Sequence, residues 1–82
     1  MPYINDTLRP HALVSPVNAG ELNFKITTAV LEYMTTHKLS YSSINDVVGA
    51  LECAKAEFIR RVVTPYEDTK IAKNGDVYPD WF

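Results

Sequence analysis

Eight residues in the second half of the chain are of types that together could hold a small anionic ligand: Lys55, Arg60, Arg61, Tyr66, Lys70, Asn74, Asp76 and Tyr78. Ammonium and guanidinium groups pair with phosphate or carboxylate oxygens, tyrosine rings offer stacking faces, and Asn or Asp can hydrogen-bond a base or a sugar. Arg60 and Arg61 precede Thr64-Pro65-Tyr66-Glu67, where Thr64 suits an N-cap, Pro65 a first helical position, and Glu67 the far corner of a capping box. A helix opening there presents free amide donors beside two guanidinium groups, an arrangement that suits a phosphate or carboxylate. Each residue also has a plainer reading. The arginines stabilise a helix dipole, and Lys55 snorkels past a core or pairs with Glu52. The tyrosines pack, and Glu67 and Asp68 satisfy the arginines and amides internally.

Catalytic constellations are missing from the sequence. It has no Gly-x-Ser-x-Gly, no phosphate-binding glycine loop and no His-Glu-x-x-His, and His11 and His37 lie in different segments. His37 near a helix end is explained as a cation at the negative pole, and His11 as a surface residue of an N-terminal arm. Cys53, the single cysteine, reads as a small buried apolar side chain, excludes an internal disulfide, and has no companions for a structural zinc site. No cofactor or metal is implied. An enzyme reading, a small hydrolase with Glu52, Glu67 or Asp68 as base, ranks last because no nucleophile accompanies those carboxylates.

The elements that must position these residues are helical. Pro2, Pro10, Pro16 and Gly20 interrupt residues 1–20, which read as an apolar arm with at most one helical turn near Arg9 to Leu13. A first helix is predicted from Glu21 to His37, opened by Asn18-x-x-Glu21 or by Gly20. Leu22, Ile26, Ala29, Val30 and Tyr33 form its core face, with Phe24 and Leu31 opposite. A second is predicted from Ser40–Ser43 to about Val63. Ile44, Val47, Val48, Leu51, Ala54, Phe58 and Val62 line one arc, and Gly49, Cys53, Ala56 and Val63 a second arc of mostly small residues. Small residues there would let the same helix of a second subunit approach closely. A short third helix is predicted from Pro65 to Asn74-Gly75, and part of the tail, with its Trp81-Phe82 pair, is expected to dock. No stretch alternates with the period of a strand. The expectation is one all-α domain over 1–82, with an arm at 1–20, a helical core at 21–75 and a tail at 76–82. It is a helical hairpin with a short third helix after Pro65 and extended terminal arms, forming a homo-oligomeric bundle.

Size and charge bound the rest. The 82 residues have 46% hydrophobic content and carry eight Lys plus Arg against ten Asp plus Glu, a formal net charge of −2. A chain this short buries only roughly 60% of its unfolded surface, so a monomeric core without staples is marginal and self-association is expected. The charge balance argues against duplex nucleic acid as a partner. The absence of a long apolar run or a signal-peptide pattern implies no membrane and a cytoplasmic location.

The run from Ile44 through Glu52-Cys53-Ala54-Lys55 to Arg60-Arg61-Val62-Val63-Thr64-Pro65-Tyr66-Glu67-Asp68 continues to Lys70-Ile71 and Asn74-Gly75-Asp76-Val77-Tyr78. With the opening Met1-Pro2-Tyr3-Ile4 and with Gly20-Glu21-Leu22-Asn23, it resembles a family of small uncharacterised phage, prophage and bacterial proteins, a domain of unknown function. The stretch between that opening and Gly20 is shorter than the additional helix expected of the family. The resemblance implies a phage context, in which small helical oligomers serve as accessory or counter-defence proteins, some of which sequester host nucleotide signals. The resulting expectation is a non-enzymatic protein that sequesters a small anionic ligand, a cyclic or linear nucleotide being its sharpest form. The alternative is a protein-interaction module acting on a host or phage protein through its arms.

Overall fold

A computed structural model describes residues 3–81, the side chain of His11 aside. The surface placement expected of His11 and the docking of Phe82 lie outside the described residues. Those residues are all helical where they are regular. A 3-10 turn at Asp6–Leu8 leads into α1 (Arg9–Val14), α2 (Ala19–His37), α3 (Tyr41–Phe58), a π-helical segment (Ile59–Val63) and α4 (Thr64–Asn74). The chain divides into two compact units, residues 1–47 and 48–82.

In the first unit the N-terminal stretch is more helical than the extended arm expected, for local reasons. The Asn5 side chain accepts from the Thr7 amide at 2.9 Å, capping the 3-10 turn. Arg9 then fixes the entry to α1, donating from Nε to the Ile4 carbonyl at 3.2 Å and pairing with Asp6 at 3.2 Å. Helix α1 packs on α2 with Ala12 fully buried, and the Arg9 guanidinium lies 5.5 Å from the centre of the Phe24 ring.

Helix α2 opens as its cap residue dictates. Asn18 has an extended backbone, and its Oδ1 accepts from the Glu21 amide at 2.9 Å. The Glu21 carboxylate reaches back to the Val17 amide at 3.1 Å, one residue further than in a standard capping box, and Glu21 is only 2% exposed. The buried face differs from the expected one. Phe24, Thr27, Thr28, Val30, Tyr33 and Met34 are half-buried, whereas Leu22, Ile26 and Ala29 are exposed. α1 therefore covers the Phe24 side, while Leu22 and Ile26 stay exposed. At the corner into α3, Lys38 adopts a φ of 61°, the left-handed region, and the Ser43 hydroxyl donates to its carbonyl at 2.6 Å. Ser40 caps α3 by accepting from the Ser43 amide at 3.1 Å.

In the second unit, α3 passes into the π-helical segment and α4 without leaving the right-handed helical region. The expected fresh start at Thr64 is corrected here. Thr64 has φ −61° and ψ −50°, and its amide donates to the Ile59 carbonyl five residues back. The residue before α4 makes no side-chain cap. Proline inside a helix lacks an amide and crowds the carbonyl four residues earlier, and a π-helical turn widens the backbone by about one residue. Here the widened turn ends at Val63, one residue short of Pro65, so the chain accommodates the ring in place of breaking the helix.

Of the two arcs expected to be buried along the second helix, only Val47 and Val63 are half-buried. Val48, Leu51, Phe58 and Val62 are exposed, Phe58 by 59%, and Cys53 is exposed as well. A Cβ added at Gly49 would meet nothing within 4 Å. Val77 and Trp81 of the tail are exposed too.

Candidate functional site

Four of the eight expected ligand residues come together where α4 stops. Asn74 ends the helix because Gly75 follows at φ 90°, a conformation glycine adopts without strain, and the Gly75 amide closes back on the Ile71 carbonyl at 2.8 Å. Asp76 then turns the chain, its Oδ1 accepting from the Tyr78 amide at 2.9 Å. The reversal brings Val77 and Tyr78 back beside the last turns of α4 and encloses an open hollow of about 260 Å³. Lys70, Asn74, Asp76 and Tyr78 line it with Glu67, Ile71, Gly75 and Val77. The sequence named Glu67 only as a capping residue and as a candidate hydrolase base, and did not assign Ile71 and Val77 to a site. The signal for Glu67 and Ile71 was available, since Glu67, Lys70, Ile71 and Asn74 repeat at helical spacing on one face.

The other four lie elsewhere. Tyr66 stands beside the hollow only through Lys70, whose ammonium sits 5.5 Å from the centre of the Tyr66 ring. Arg60 is held by Glu57, with Nε to Oε1 at 3.0 Å and Nη2 to Oε1 at 2.6 Å. Among the described residues Lys55 and Arg61 have no ion-pair partner, and Glu52 is not bound to Lys55. The anion cradle expected at Pro65–Glu67 does not form, because the Thr64 amide is already bonded and Pro65 has none.

A second polar cluster sits in the first unit. The Tyr33 hydroxyl donates to Asp46 Oδ2 at 2.7 Å, and the His37 ring stacks on the Tyr33 ring with centres 4.0 Å apart. His37 Nδ1 lies 3.0 Å from the Tyr33 carbonyl, which can only accept, so that nitrogen carries the proton. The hydrogen bond to Asp46, then burial, then the charge of Asp46 raise the Tyr33 pKa above its ordinary value.

Residues 1–77 match the model of a family described as a domain of unknown function, DUF6899. The chain belongs to that family. The match takes in both units and the hollow through Val77, leaving Tyr78 just beyond its edge. Comparisons with curated proteins and with solved structures found no match. In this DUF6899 chain no three His, Cys, Asp or Glu residues among those described gather where they could hold a metal ion. No described helix is long and apolar enough to cross a membrane. The lining residues are of mixed type, Glu67, Lys70, Asn74, Asp76 and Tyr78 beside Ile71 and Val77.

Proposed function

We propose that this DUF6899 chain is a non-enzymatic binding protein that acts through protein–protein contact, its first partner a second copy of itself in a homo-oligomeric helical bundle. The observation that carries the reading is how little the single chain buries. Among the described residues Ala12 is the one buried apolar side chain, while Leu22, Ile26, Leu51, Phe58 and Val62 stay exposed. Exposed apolar surface on that scale marks an interface, and a chain this small without disulfide or metal gains its core by association. In such a bundle α2 and α3 of neighbouring chains pair as the antiparallel helices of the expected hairpin, with the arms and tail as contact points for a host or phage protein.

Sedimentation equilibrium at micromolar concentrations tests it. A mass of two or more chains is expected, and Leu51→Glu and Phe58→Asp proteins should sediment as smaller species. A single-chain mass across the whole range overturns the reading.

A second reading, sequestration of a small anionic ligand such as a nucleotide by a cytoplasmic phage accessory or counter-defence protein, is supported by the exposed, unpaired cations Lys55 and Arg61. Native mass spectrometry of gently purified protein tests that reading. Extra mass matching a nucleotide, lost in Lys55→Ala and Arg61→Ala proteins, supports it; a ligand-free species counts against it.

A further inference from the structure

We propose that the helical run 48–74 pairs antiparallel with the same run of a second copy, about a two-fold axis level with Arg61. The inference rests on the self-association proposed above and names the surface, the orientation and the register of that association.

Among the described residues the second unit holds the end of α3, the π-helical segment and α4 as one continuous right-handed run, and no other helix. At about 100° per residue, with the π-helical segment widened by about one residue, Leu51, Phe58, Ile59, Val62, Val63 and Tyr66 fall in one stripe. Val63 is half-buried and the other five are exposed, Phe58 and Tyr66 by 59% each. Helices in proteins owe most of their stability to packing of such a face, and this one is a seam for a second helix.

Charge selects which helix. Lys55 and Lys70 sit near the middle of the stripe, with Glu52 and Glu67 on one flank of it. All four are exposed, and among the described residues none has an ion-pair partner. The Lys70 ammonium lies 5.5 Å from the centre of the Tyr66 ring instead. Arg61 is the midpoint of the five-residue segment Ile59–Val63. Lys55 comes six residues before it and Glu67 six after, and Glu52 comes nine before and Lys70 nine after. An antiparallel copy turned about Arg61 therefore sets Lys55 level with Glu67 of the second copy, and Glu52 level with its Lys70, each pair occurring twice by symmetry. The same turn places Phe58 between Val62 and Tyr66 of the second copy, and Ile59 level with its Val63. Residues 48–58 and α4 are α-helical over 11 residues each, so paired positions stay level at both ends. By the same spacing Arg60 and Arg61 fall on the far side of the run, where Glu57 holds Arg60, so no guanidinium groups meet at the axis. A parallel, in-register pair would set Lys55 against Lys55 and Lys70 against Lys70 and align the two helix dipoles. Charges along an apolar seam choose partner and orientation in this way.

Charge exchange tests the register, read by sedimentation equilibrium of the full-length protein, with circular dichroism checking that each variant keeps its helix. Lys55→Glu sets like charges against each other at the Glu67 level and should weaken association roughly tenfold or more. Adding Glu67→Lys restores opposite charges there, so that double variant should recover most of the wild-type association. Combining Lys55→Glu with Glu52→Lys gives a chain of the same net charge in which both levels oppose like charges, and it should stay weak. Recovery in the first double variant and not in the second supports the pairing. No weakening by Lys55→Glu, no recovery with Glu67→Lys, or equal recovery with Glu52→Lys overturns it and leaves self-association standing. A wild-type protein of single-chain mass overturns both.

Discussion

At the scale of single residues, Glu21 and Tyr33 each make a polar contact that bears on the stability of the first unit. Glu21 is 2% exposed, and its carboxylate accepts from the Val17 amide at 3.1 Å and meets the Asn18 carboxamide at 3.4 Å. Glu21→Ala leaves that amide without its partner and opens a space beside the cap, so it should destabilise the protein by about 1–2 kcal/mol. Glu21→Gln, which can still accept, should cost less; urea unfolding of the three proteins decides. Tyr33 makes a prediction in pH. Because its hydroxyl donates to Asp46, its folded pKa lies above the ordinary value of about 10. The sign follows from linkage: the unfolded chain loses this proton first. The contribution of Tyr33 to stability is therefore intact below about pH 10 and disappears as pH rises through the raised value. Tyr33→Phe should remove both the highest-pH step of tyrosinate absorbance and that part of the alkaline loss of stability. An unchanged alkaline profile would separate Tyr33 from the Asp46 contact.

At the scale of elements, Pro65 sets the most particular feature of the second unit. The π-helical turn at Ile59–Val63 ends one residue before it, at the intervening Thr64, whose amide bonds the Ile59 carbonyl instead of the one four residues back. Proline in a helix interior costs about 3 kcal/mol, so Pro65→Ala should let the segment close to a regular α-helix and raise stability by up to about that amount. Far-ultraviolet circular dichroism through a thermal melt reads the gain, and amide exchange at Arg61–Thr64 reads the new hydrogen bonds. A less stable protein would mean the widened turn is held by something other than the proline ring. The same element marks the edge of what sequence carries. Asn18, Ser40 and Asn74-Gly75 bound their helices where local chemistry says they should, since caps act within one turn. Thr64-Pro65-Tyr66-Glu67 has the same local chemistry but does not act on it, because a helix already running through Val63 supplies the carbonyl that the Thr64 amide needs. Helix faces were legible only in part. Both α2 and α3 are apolar on two sides, so periodicity could not choose between Phe24 and Leu22–Ile26; packing of α1 chose. The hollow was half legible, because Lys70 and Asn74 share a helical face in the sequence, whereas the return of Val77 and Tyr78 depends on the φ of Gly75 and the turn at Asp76.

At the scale of the whole molecule, the balance between buried and exposed apolar surface sets how stability should respond to concentration. Among the described residues Ala12 is the one fully buried apolar side chain, while ordering the backbone costs about 1–2 kcal/mol per residue, so further apolar burial would add to stability. The missing apolar burial is available on faces that are already formed: Val48, Leu51 and Phe58 along α3, Val62 in the π-helical segment, and Leu22 and Ile26 along α2. If those faces close on other copies, folding and association are one equilibrium, and the melting temperature must rise with protein concentration. A monomer has no such term. Thermal melts over a hundredfold range of concentration are expected to shift upward by several degrees. The shift should shrink in a Phe58→Asp protein, which places a charge in the middle of the α3 face. Glu57→Gln, which releases Arg60 without touching the apolar faces, controls for surface charge and should leave the concentration dependence intact. A melting temperature independent of concentration would mean that the chain stands alone with its apolar faces in water, and the proposal of self-association would fall.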